Sequence, residues 1–414
     1  MTGRVYIVLA LDTEGPVSTR PDLLSTWDAV DQFVGRLFTP EYRRQVRDSE
    51  GGGLVISWFV LTWTGFRTNP AGRDFGYHRI HDHYTARWGD AMRLWGDGLY
   101  WHYHQPAPSR VGTDWTADWS ASQEYLNILN RLLIDRGYFP SVFRAGGAIQ
   151  TNEMSNWLEQ WIPVDYSSRA SRDIDWNALD ENGRRICDLN DWSRAPDDWA
   201  PYRPSPDDYQ RPGAMRRVIL RCPDLKNWIY SLTDDDVERA FERAEQGHDT
   251  VMATFDHDYR ERSAVFAKAV MQRVARVSAR HPRVRWEYAN ALRAAQRAVG
   301  WKSGAGPLFE LRTAADGAAC NVTADRPLFG PAPYVACRFD DTGDYAGPVL
   351  AGGGESWRLP IESPARPRTI GIAGSDRFGN VGVARYHWNG LRFEEKPWRS
   401  GKPVDLLDVV AGEV

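Results

Sequence analysis

Residues 99–106, with the sequence LYWHYHQP, decide both the predicted fold and the predicted site. Aromatic residues favour extended backbone, and side chains two positions apart on a strand point to the same face. The run therefore predicts a strand that presents His102 and His104 side by side. Two neighbouring imidazoles can bind one divalent metal ion, which then needs further ligands, commonly carboxylates.

The first apolar run of the chain, residues 5–11, ends directly in the acidic sequence Asp12-Thr13-Glu14. Taken alone, each of the two features has an ordinary structural explanation. Paired histidines on a strand often only hydrogen-bond to each other, and acids after a strand often stabilise a turn. Because both features lie at strand ends, we favour one metal site that combines the two histidines with Asp12 or Glu14.

Short apolar runs alternate with amphipathic segments through roughly the first 300 residues. This alternation is typical of parallel strands joined by crossover helices. Eight such runs predict an α/β barrel, with strands at residues 5–11, 54–62, 99–104, 141–144, 164–167, 218–221, 250–255 and 284–288.

Capping residues and apolar periodicity mark the helices between these strands. Ser120 and Gln123 have the spacing of a capping box and Gly137 is a stop signal, so a helix is predicted between them. Further helices are predicted to begin near Asn152, Thr233 and Arg262. The apolar stripes of these helices are assigned to the core.

Two segments, residues 66–88 and 190–213, interrupt this rhythm and are predicted to be long loops over the barrel mouth. Loops of this length in a compact domain are usually functional or disordered. The first segment contains His78, His81 and His83. We interpret these as surface or packing histidines rather than metal ligands, while keeping them as candidates for lining a substrate cleft.

The helical apolar stripes end near Trp301, and the stretch that follows, with Gly304 and Pro307, is typical of a linker. We therefore predict a barrel domain at residues 1–302 and a small antiparallel, β-sandwich-like domain at residues 307–414. Its strands include residues 334–339, 369–372 and 381–388. Its candidate roles are packing against the barrel, contact between copies in a homo-oligomer and help in holding substrate.

Composition argues against several classes of partner. The 414 residues include 51 Lys and Arg against 55 Asp and Glu, a net charge of −4, so no basic field favours nucleic acid or a membrane surface. No export signal is seen, and no apolar run approaches about 18 residues. Four cysteines without metal-ligand spacing predict reduced thiols in a cytoplasmic protein. A disulfide between Cys320 and Cys337 is the alternative.

In parallel barrels the active site lies at the carboxyl ends of the strands. Four of the predicted strands end in groups that can carry chemistry, namely Asp12 with Glu14, His102 with His104, Arg144, and the sequence Asp256-His257-Asp258. We therefore expect these side chains to converge on one mouth of the barrel.

The order of these motifs resembles the polysaccharide deacetylase (NodB-homology, carbohydrate esterase family 4-like) superfamily over roughly residues 5–298. The resemblance implies a distorted (β/α) barrel with a divalent metal ion, for which zinc is the first choice. It also implies a role for each residue: Asp12 as general base, His257 as general acid, Arg144 as the group that orients the base, and Glu14, His102 and His104 as metal ligands.

This chain departs from the superfamily pattern in two ways. Its paired histidines are two residues apart, where the usual motif separates them by three or more. The acidic pair has the Asp-x-Glu form instead of adjacent aspartates. From the residues alone, either Asp12 or Glu14 can be the ligand and the other the base.

The expected activity is hydrolysis of an amide C–N bond, with removal of an acetyl group from an N-acetylated sugar as the leading case. The second hypothesis is a hydrolase of a non-sugar C–N bond, including a cyclic one. The third hypothesis is a catalytically silent carbohydrate-binding barrel. Nineteen tryptophans offer flat platforms for sugar rings. The candidates for substrate binding are Trp63, Trp101, His78, His81 and Tyr202.

Overall fold

The computed structural model describes residues 2–398, apart from residues 65, 180–181, 186, 188, 226–230, 316, 340–342 and 362–365. Residues 399–414, which end the predicted C-terminal domain, lie outside the described residues. The described part contains a curled parallel sheet surrounded by helices, followed by two antiparallel sheets.

Eight strands form the first sheet, and each coincides with a predicted apolar run. They are β1 (Arg4–Thr13), β2 (Ile56–Leu61), β3 (Gly98–Tyr103), β4 (Val142–Ala145), β5 (Val164–Ser168), β6 (Val218–Arg221), β7 (Thr250–His257) and β8 (Arg285–Tyr288). The described strands of this sheet pair in parallel, in the order β6-β5-β4-β3-β2-β1-β7, and β8 pairs with the first half of β1. All eight strand predictions are confirmed.

The two edges of this sheet approach each other just beyond β6. The amide of Leu225 donates to the carbonyl of Phe255 at 2.8 Å, and the amide of Phe255 donates to the carbonyl of Pro223 at 3.0 Å. The sheet is therefore curled into a barrel-like shape. This confirms the barrel-like α/β class, whereas the narrower deacetylase type of barrel stays a prediction.

Helices connect most of the parallel strands. The described helices are α1 (Trp27–Leu37), α2 (Pro40–Arg43), α3 (Arg79–Trp95), α4 (Glu124–Arg131), α5 (Asn152–Leu158), α6 (Asp234–Glu245), α7 (Arg262–Ser278) and α8 (Ala291–Val299). The helices predicted near Asn152, Thr233 and Arg262 are confirmed, and Thr233 forms a capping box with Asp236.

The prediction that residues 66–88 form one long loop is wrong in its second half, because α3 begins at Arg79. Ile80, Tyr84 and Met92 are buried and pack one face of this helix into the main core. The histidines between them made the segment look polar, although the helical spacing of its apolar residues was present. The second predicted loop, residues 190–213, forms no helix and only isolated bridges.

The predicted capping box at Ser120 is also wrong. Ser120 lies in a short 3-10 turn, Trp119–Ala121, where the carboxylate of Asp118 accepts a hydrogen bond from its amide at 2.8 Å. Asp118 therefore caps the turn in its place, and α4 begins only after Gln123. The stop at Gly137 is confirmed, since its φ of 67° ends the π-helical turn that follows α4.

Alternation along β1 separates two apolar layers. Odd positions such as Ile7 pack outward into the main core beneath the helices. Tyr6, Val8 and Ala10 belong to a second cluster, enclosed by the curled sheet and joined by residues of α8. The next side chain on this inner face is that of Asp12, so the interior changes from apolar to charged at the carboxyl end of the strand.

The C-terminal part is built from two antiparallel sheets. Its strands are β9 (Phe309–Thr313), β10 (Ala319–Ala324), β11 (Tyr334–Phe339), β12 (Asp344–Ala346), β13 (Ala351–Gly353), β14 (Ser356–Pro360), β15 (Thr369–Ser375), β16 (Val381–Trp388) and β17 (Phe393–Glu395). The sheet orders are β13-β14-β10-β9 and β12-β11-β15-β16-β17, and both sheets contribute to one buried cluster. Tyr334 joins this part to the barrel, since its hydroxyl donates to Asn130 Oδ1 at 2.7 Å.

The four cysteines are all buried and free. The prediction of free thiols is therefore confirmed, and Cys320 and Cys337 do not form a disulfide. Within the described residues, no helix has both the length and the apolar character needed to span a bilayer.

Candidate active site

The register of the parallel strands brings the predicted site residues to one end of the sheet. Asp12 of β1 is paired with His257 of β7, and His102 of β3 is paired with Arg144 of β4. His104 follows His102 by two positions and so shares its face. Side chains alternate between the two faces of each strand, and these polar side chains lie on the face that lines the inside of the curled sheet.

Three buried side chains, Glu14, His102 and His104, form a group that can hold a metal ion, and these three residues are called the ligand group below. Nε2 of His102 lies 3.1 Å from Nε2 of His104, and Oε1 of Glu14 lies 3.5 Å from each of these nitrogens. Tetrahedral zinc with bonds of about 2.0–2.2 Å separates its ligand atoms by about 3.3–3.6 Å. The two distances to Glu14 lie in this range and the distance between the two nitrogens is about 0.2 Å below it, so the three atoms are close to the spacing that a small divalent ion requires.

The backbone determines which nitrogen of His102 carries a hydrogen. Nδ1 of His102 lies 2.9 Å from the carbonyl oxygen of Arg144, and a carbonyl oxygen can only accept. Nδ1 is therefore the donor, and in the neutral ring the lone pair of Nε2 points to the ligand group. Burial disfavours the charged ring, but the carboxylates of Asp12 and Glu14 outweigh it and raise the pKa of His102.

His104 differs from its neighbour in its electrostatic environment. Burial lowers the pKa of His104 to about 4. Its ring is therefore neutral near pH 7, and neutral imidazole is the form that binds metal. The Nδ1 atom is buried without a hydrogen-bond partner among the described residues, which leaves the Nε2 atom facing Glu14 as its polar contact in the site.

Glu14 is held in place by an arginine from the segment before α3. Nη1 of Arg73 lies 2.7 Å from Oε2 of Glu14. Burial disfavours ionisation of Glu14, but Arg73 and the two histidines hold its pKa well below the usual value. The carboxylate is therefore charged, with Oε2 on the arginine and Oε1 directed to the imidazoles. By this geometry Glu14, and not Asp12, completes the ligand group.

Asp12 lies beside the ligand group but belongs to a different ion pair. Nε of Arg144 donates to its two carboxylate oxygens at 2.9 and 3.1 Å, and Nη1 of Arg144 donates to the carbonyl of Tyr166 at 2.6 Å. Nδ1 of His102 lies 3.9 Å from Asp12 Oδ1. Since Arg144 is fully buried, it fixes the position of the Asp12 carboxylate at the edge of the cleft.

His257 approaches the same group from β7. Its Nε2 lies 3.8 Å from Oε1 of Glu14, and its Nδ1 lies 3.4 Å from Oδ1 of Asp256. Burial disfavours ionisation of Asp256, but its contact with His257 and the charge of Arg260 lower its pKa. The contact between Nδ1 and the Asp256 carboxylate orients the ring and leaves Nε2 directed to the cleft.

Asp258 positions the turn that carries Glu14. Its carboxylate accepts hydrogen bonds from the amides of Glu14 and Gly15 at 2.9 and 3.0 Å, and from the hydroxyl of Tyr84 at 2.7 Å. Burial raises the pKa of Asp258. The three donors compensate for burying this group, and they tie the first and seventh strand ends together.

Replacing Tyr84 by Phe is expected to lower the free energy of unfolding by about 1.5–3 kcal/mol, because it removes a hydrogen bond to a buried carboxylate. Metal affinity should fall about tenfold as the Glu14 turn loosens. Chemical denaturation and calorimetric metal titration measure the two effects. Tyr386→Phe is the matched control, since it removes a hydroxyl bonded to the Phe309 carbonyl in the C-terminal part. Equal metal affinity in the two variants would contradict the role of Asp258.

A cleft of about 670 Å³ opens onto this group. Five predicted site residues line it, namely Asp12, Glu14, His104, Arg144 and His257. His102 lies behind them, fully buried. The volume is in the usual range for a small-molecule site.

The predicted substrate-binding residues do not line this cleft. Trp101 alternates with His102 and therefore faces the outer core, where its indole N–H donates to Thr62. Trp63 is buried beside the ring of His104. The remaining three are placed elsewhere: His78 precedes α3, His81 is buried on α3 against Tyr138, and Tyr202 donates to the carbonyl of Tyr209.

Several lining residues were not predicted from the sequence. Tyr259 and Arg260 directly follow the His257 motif, and this position after a strand end was a usable signal. Arg169 directly follows β5 and so carried the same signal, whereas Arg73 comes from an irregular segment, where no periodicity or spacing indicates that it approaches the site. Trp115 also lines the cleft, with its ring centroid 4.4 Å from that of His104.

The fold and the site define a barrel-like α/β protein with a candidate metal centre at the carboxyl ends of its strands. In comparisons with known proteins, neither a family model nor a curated protein matches the chain.

Proposed function

We propose that the protein is a zinc-dependent hydrolase of an amide C–N bond that removes the acetyl group from an N-acetylated sugar. One observation carries this proposal. A carboxylate and an imidazole that are not ligands, Asp12 and His257, lie against the ligand group of Glu14, His102 and His104 in one cleft. A site that only binds a metal has no need for either group.

Amide hydrolysis requires a polarised carbonyl, an activated water and a proton for the departing amine. Glu14 and the paired histidines would hold the zinc ion, which would supply Lewis acidity and activate a water molecule. Asp12, oriented by Arg144, accepts the proton that the attacking water loses. His257 donates a proton from Nε2 to the departing nitrogen, while Asp256 orients the ring through Nδ1.

The choice of a sugar as substrate is supported by Trp115. This residue lines the cleft and is 38% exposed, although its ring lies close to that of His104. An exposed indole presents a flat apolar face, which suits the apolar face of a pyranose ring. The resemblance of the motif order to polysaccharide deacetylases points to the same substrate class.

The direct test is acetate release by the purified protein, loaded in turn with zinc, nickel, cobalt and manganese, from a panel of N-acetylated sugars. We expect zinc-dependent release that is lost on chelation. No acetate from any sugar with any of these metals would overturn the deacetylase proposal. Hydrolysis of ureides or cyclic imides instead would identify a non-sugar C–N hydrolase, and a sugar bound without turnover would identify a silent carbohydrate-binding barrel.

His257→Gln is expected to slow hydrolysis of an N-acetyl sugar about 100-fold, because the amine leaves only with a proton. An aryl acetate has a leaving group that needs no proton, so its hydrolysis should change far less. Comparing kcat/KM for the two substrates measures the difference. Equal losses on both substrates would show that His257 is not the acid.

A further inference from the structure

The charges of the described cleft residues are not balanced. Five arginines line the cleft, but only three of its lining residues are carboxylic acids. Each of these acids is already paired with an arginine: Glu14 with Arg73 at 2.7 Å, Asp12 with Arg144 at 2.9 Å, and Asp224 with Arg169 at 2.8 Å. The two remaining arginines, Arg260 and Arg262, therefore carry the excess positive charge.

Arg260 has only a weak internal partner. Its Nη1 lies 3.3 Å from Oδ1 of Asp256, an oxygen that already accepts the amide of His257 at 2.9 Å. Its guanidinium carbon lies 5.4 Å from the ring centroid of Tyr259. The aromatic face supports the guanidinium without neutralising it, so most of its hydrogen-bonding capacity is left for a ligand.

Arg262 has no carboxylate within 4.0 Å among the described residues, and its guanidinium carbon lies 5.9 Å from the ring centroid of Phe266. The acids near it are engaged with other arginines. Asp22 accepts two hydrogen bonds from Arg20 at 2.8 and 2.9 Å, and Glu261 pairs with Arg36 at 2.5 Å.

The same two arginines mark the entrance of the cleft. Arg260 and Arg262 also line an adjoining groove of about 580 Å³, together with Arg73, Trp115 and Tyr259. Glu14 and His104 at the inner end are almost fully buried, whereas Arg262 is exposed. A ligand that extends from the inner end into the groove therefore lies beside both guanidinium groups.

We propose that the substrate carries an anionic group, a carboxylate or a phosphate, which Arg260 and Arg262 bind at the outer end of the cleft while the amide lies beside the ligand group. The assignment of the amide rests on the proposed function. A pair of guanidinium groups suits either anion, since each can form two parallel N–H···O bonds to its oxygens. The positive charge also draws such a substrate to a protein whose net charge is negative.

Calorimetric titration of the intact zinc-treated protein tests this inference with three probes: N-acetylglucosamine, its 6-phosphate and its uronic acid. We expect at least one of the two anionic sugars to bind about tenfold more tightly than the neutral sugar, and added salt to reduce this advantage. Arg262→Ala should remove most of the advantage. Arg312→Ala, which removes an exposed arginine on β9, is the matched control and should bind every probe as the wild type does.

The relative affinities of the two anionic sugars distinguish a phosphate from a carboxylate. Equal binding of charged and neutral sugars, no binding of either anion at millimolar concentration, or an unchanged preference in Arg262→Ala would overturn the inference. Because the titration needs no turnover, its outcome is separate from the acetate assay. Anion-dependent binding without acetate release would leave this inference standing and remove the proposed reaction.

Discussion

Asp12→Asn is expected to lower kcat for acetate release by about 10²–10⁴-fold while the protein still binds one zinc ion. The carboxylate of Asp12 is not part of the ligand group, but it is held at the edge of that group by Nε of Arg144. Asparagine keeps an oxygen that can accept from Arg144, yet it cannot take a proton from water. The variant should therefore lose catalytic rate while its zinc content stays the same.

Steady-state kinetics and elemental analysis of the same preparation measure these two quantities. Because Arg144 is fully buried, circular dichroism must show that the variant is folded before the rates are compared. Arg144→Lys tests whether Arg144 positions Asp12, since lysine keeps a charge near Asp12 but loses the fixed geometry of the guanidinium group. If Asp12→Asn retained full activity, Asp12 would not be the base. If it lost the metal, Asp12 would be a ligand.

Gly146→Ala is expected to weaken zinc binding by about 100-fold or more, although Gly146 contributes no ligand atom. A Cβ at this position would lie 2.2 Å from Cγ of His104, 2.3 Å from Cδ2 and 2.6 Å from Nδ1. Real side chains do not approach so closely, so the imidazole must move. The absence of a side chain at Gly146 is thus what allows His104 to reach its position.

Zinc titration of the folded variant, followed by calorimetry, measures this loss. Gly304→Ala is the matched control, because a Cβ there would meet nothing within 4 Å and should leave zinc affinity unchanged. Unaltered zinc binding by a folded Gly146→Ala variant would show that His104 is not needed for the metal.

The main features of the site follow from patterns that are visible in the sequence. The strand runs are almost entirely apolar, because strands of a parallel sheet are covered on both faces. Period-two alternation then places His102 and His104 on one face and turns Trp101 away from them. Applied strictly, this rule would have removed Trp101 from the predicted substrate-binding residues.

Other features depend on contacts that no local pattern encodes. Arg73 reaches Glu14 across 59 positions of chain and lies in an irregular segment before α3. Ser120 and Gln123 have the spacing of a capping box, but the carboxylate of Asp118 accepts the Ser120 amide that the Gln123 side chain would accept, and Ser120 lies in a short turn. The first outcome depends on a contact between residues far apart in the sequence and the second on a nearby competing side chain, and apolar periodicity indicates neither.

Metal stoichiometry tests the central claim most directly, namely that Glu14, His102 and His104 bind one divalent ion. We predict one zinc per chain by elemental analysis after dialysis, loss of this zinc in Glu14→Gln and in His104→Ala, and its retention in His257→Gln. Wild-type protein that takes up none of zinc, nickel, cobalt and manganese, or a folded Glu14→Gln variant that keeps zinc with unchanged affinity, would contradict the account.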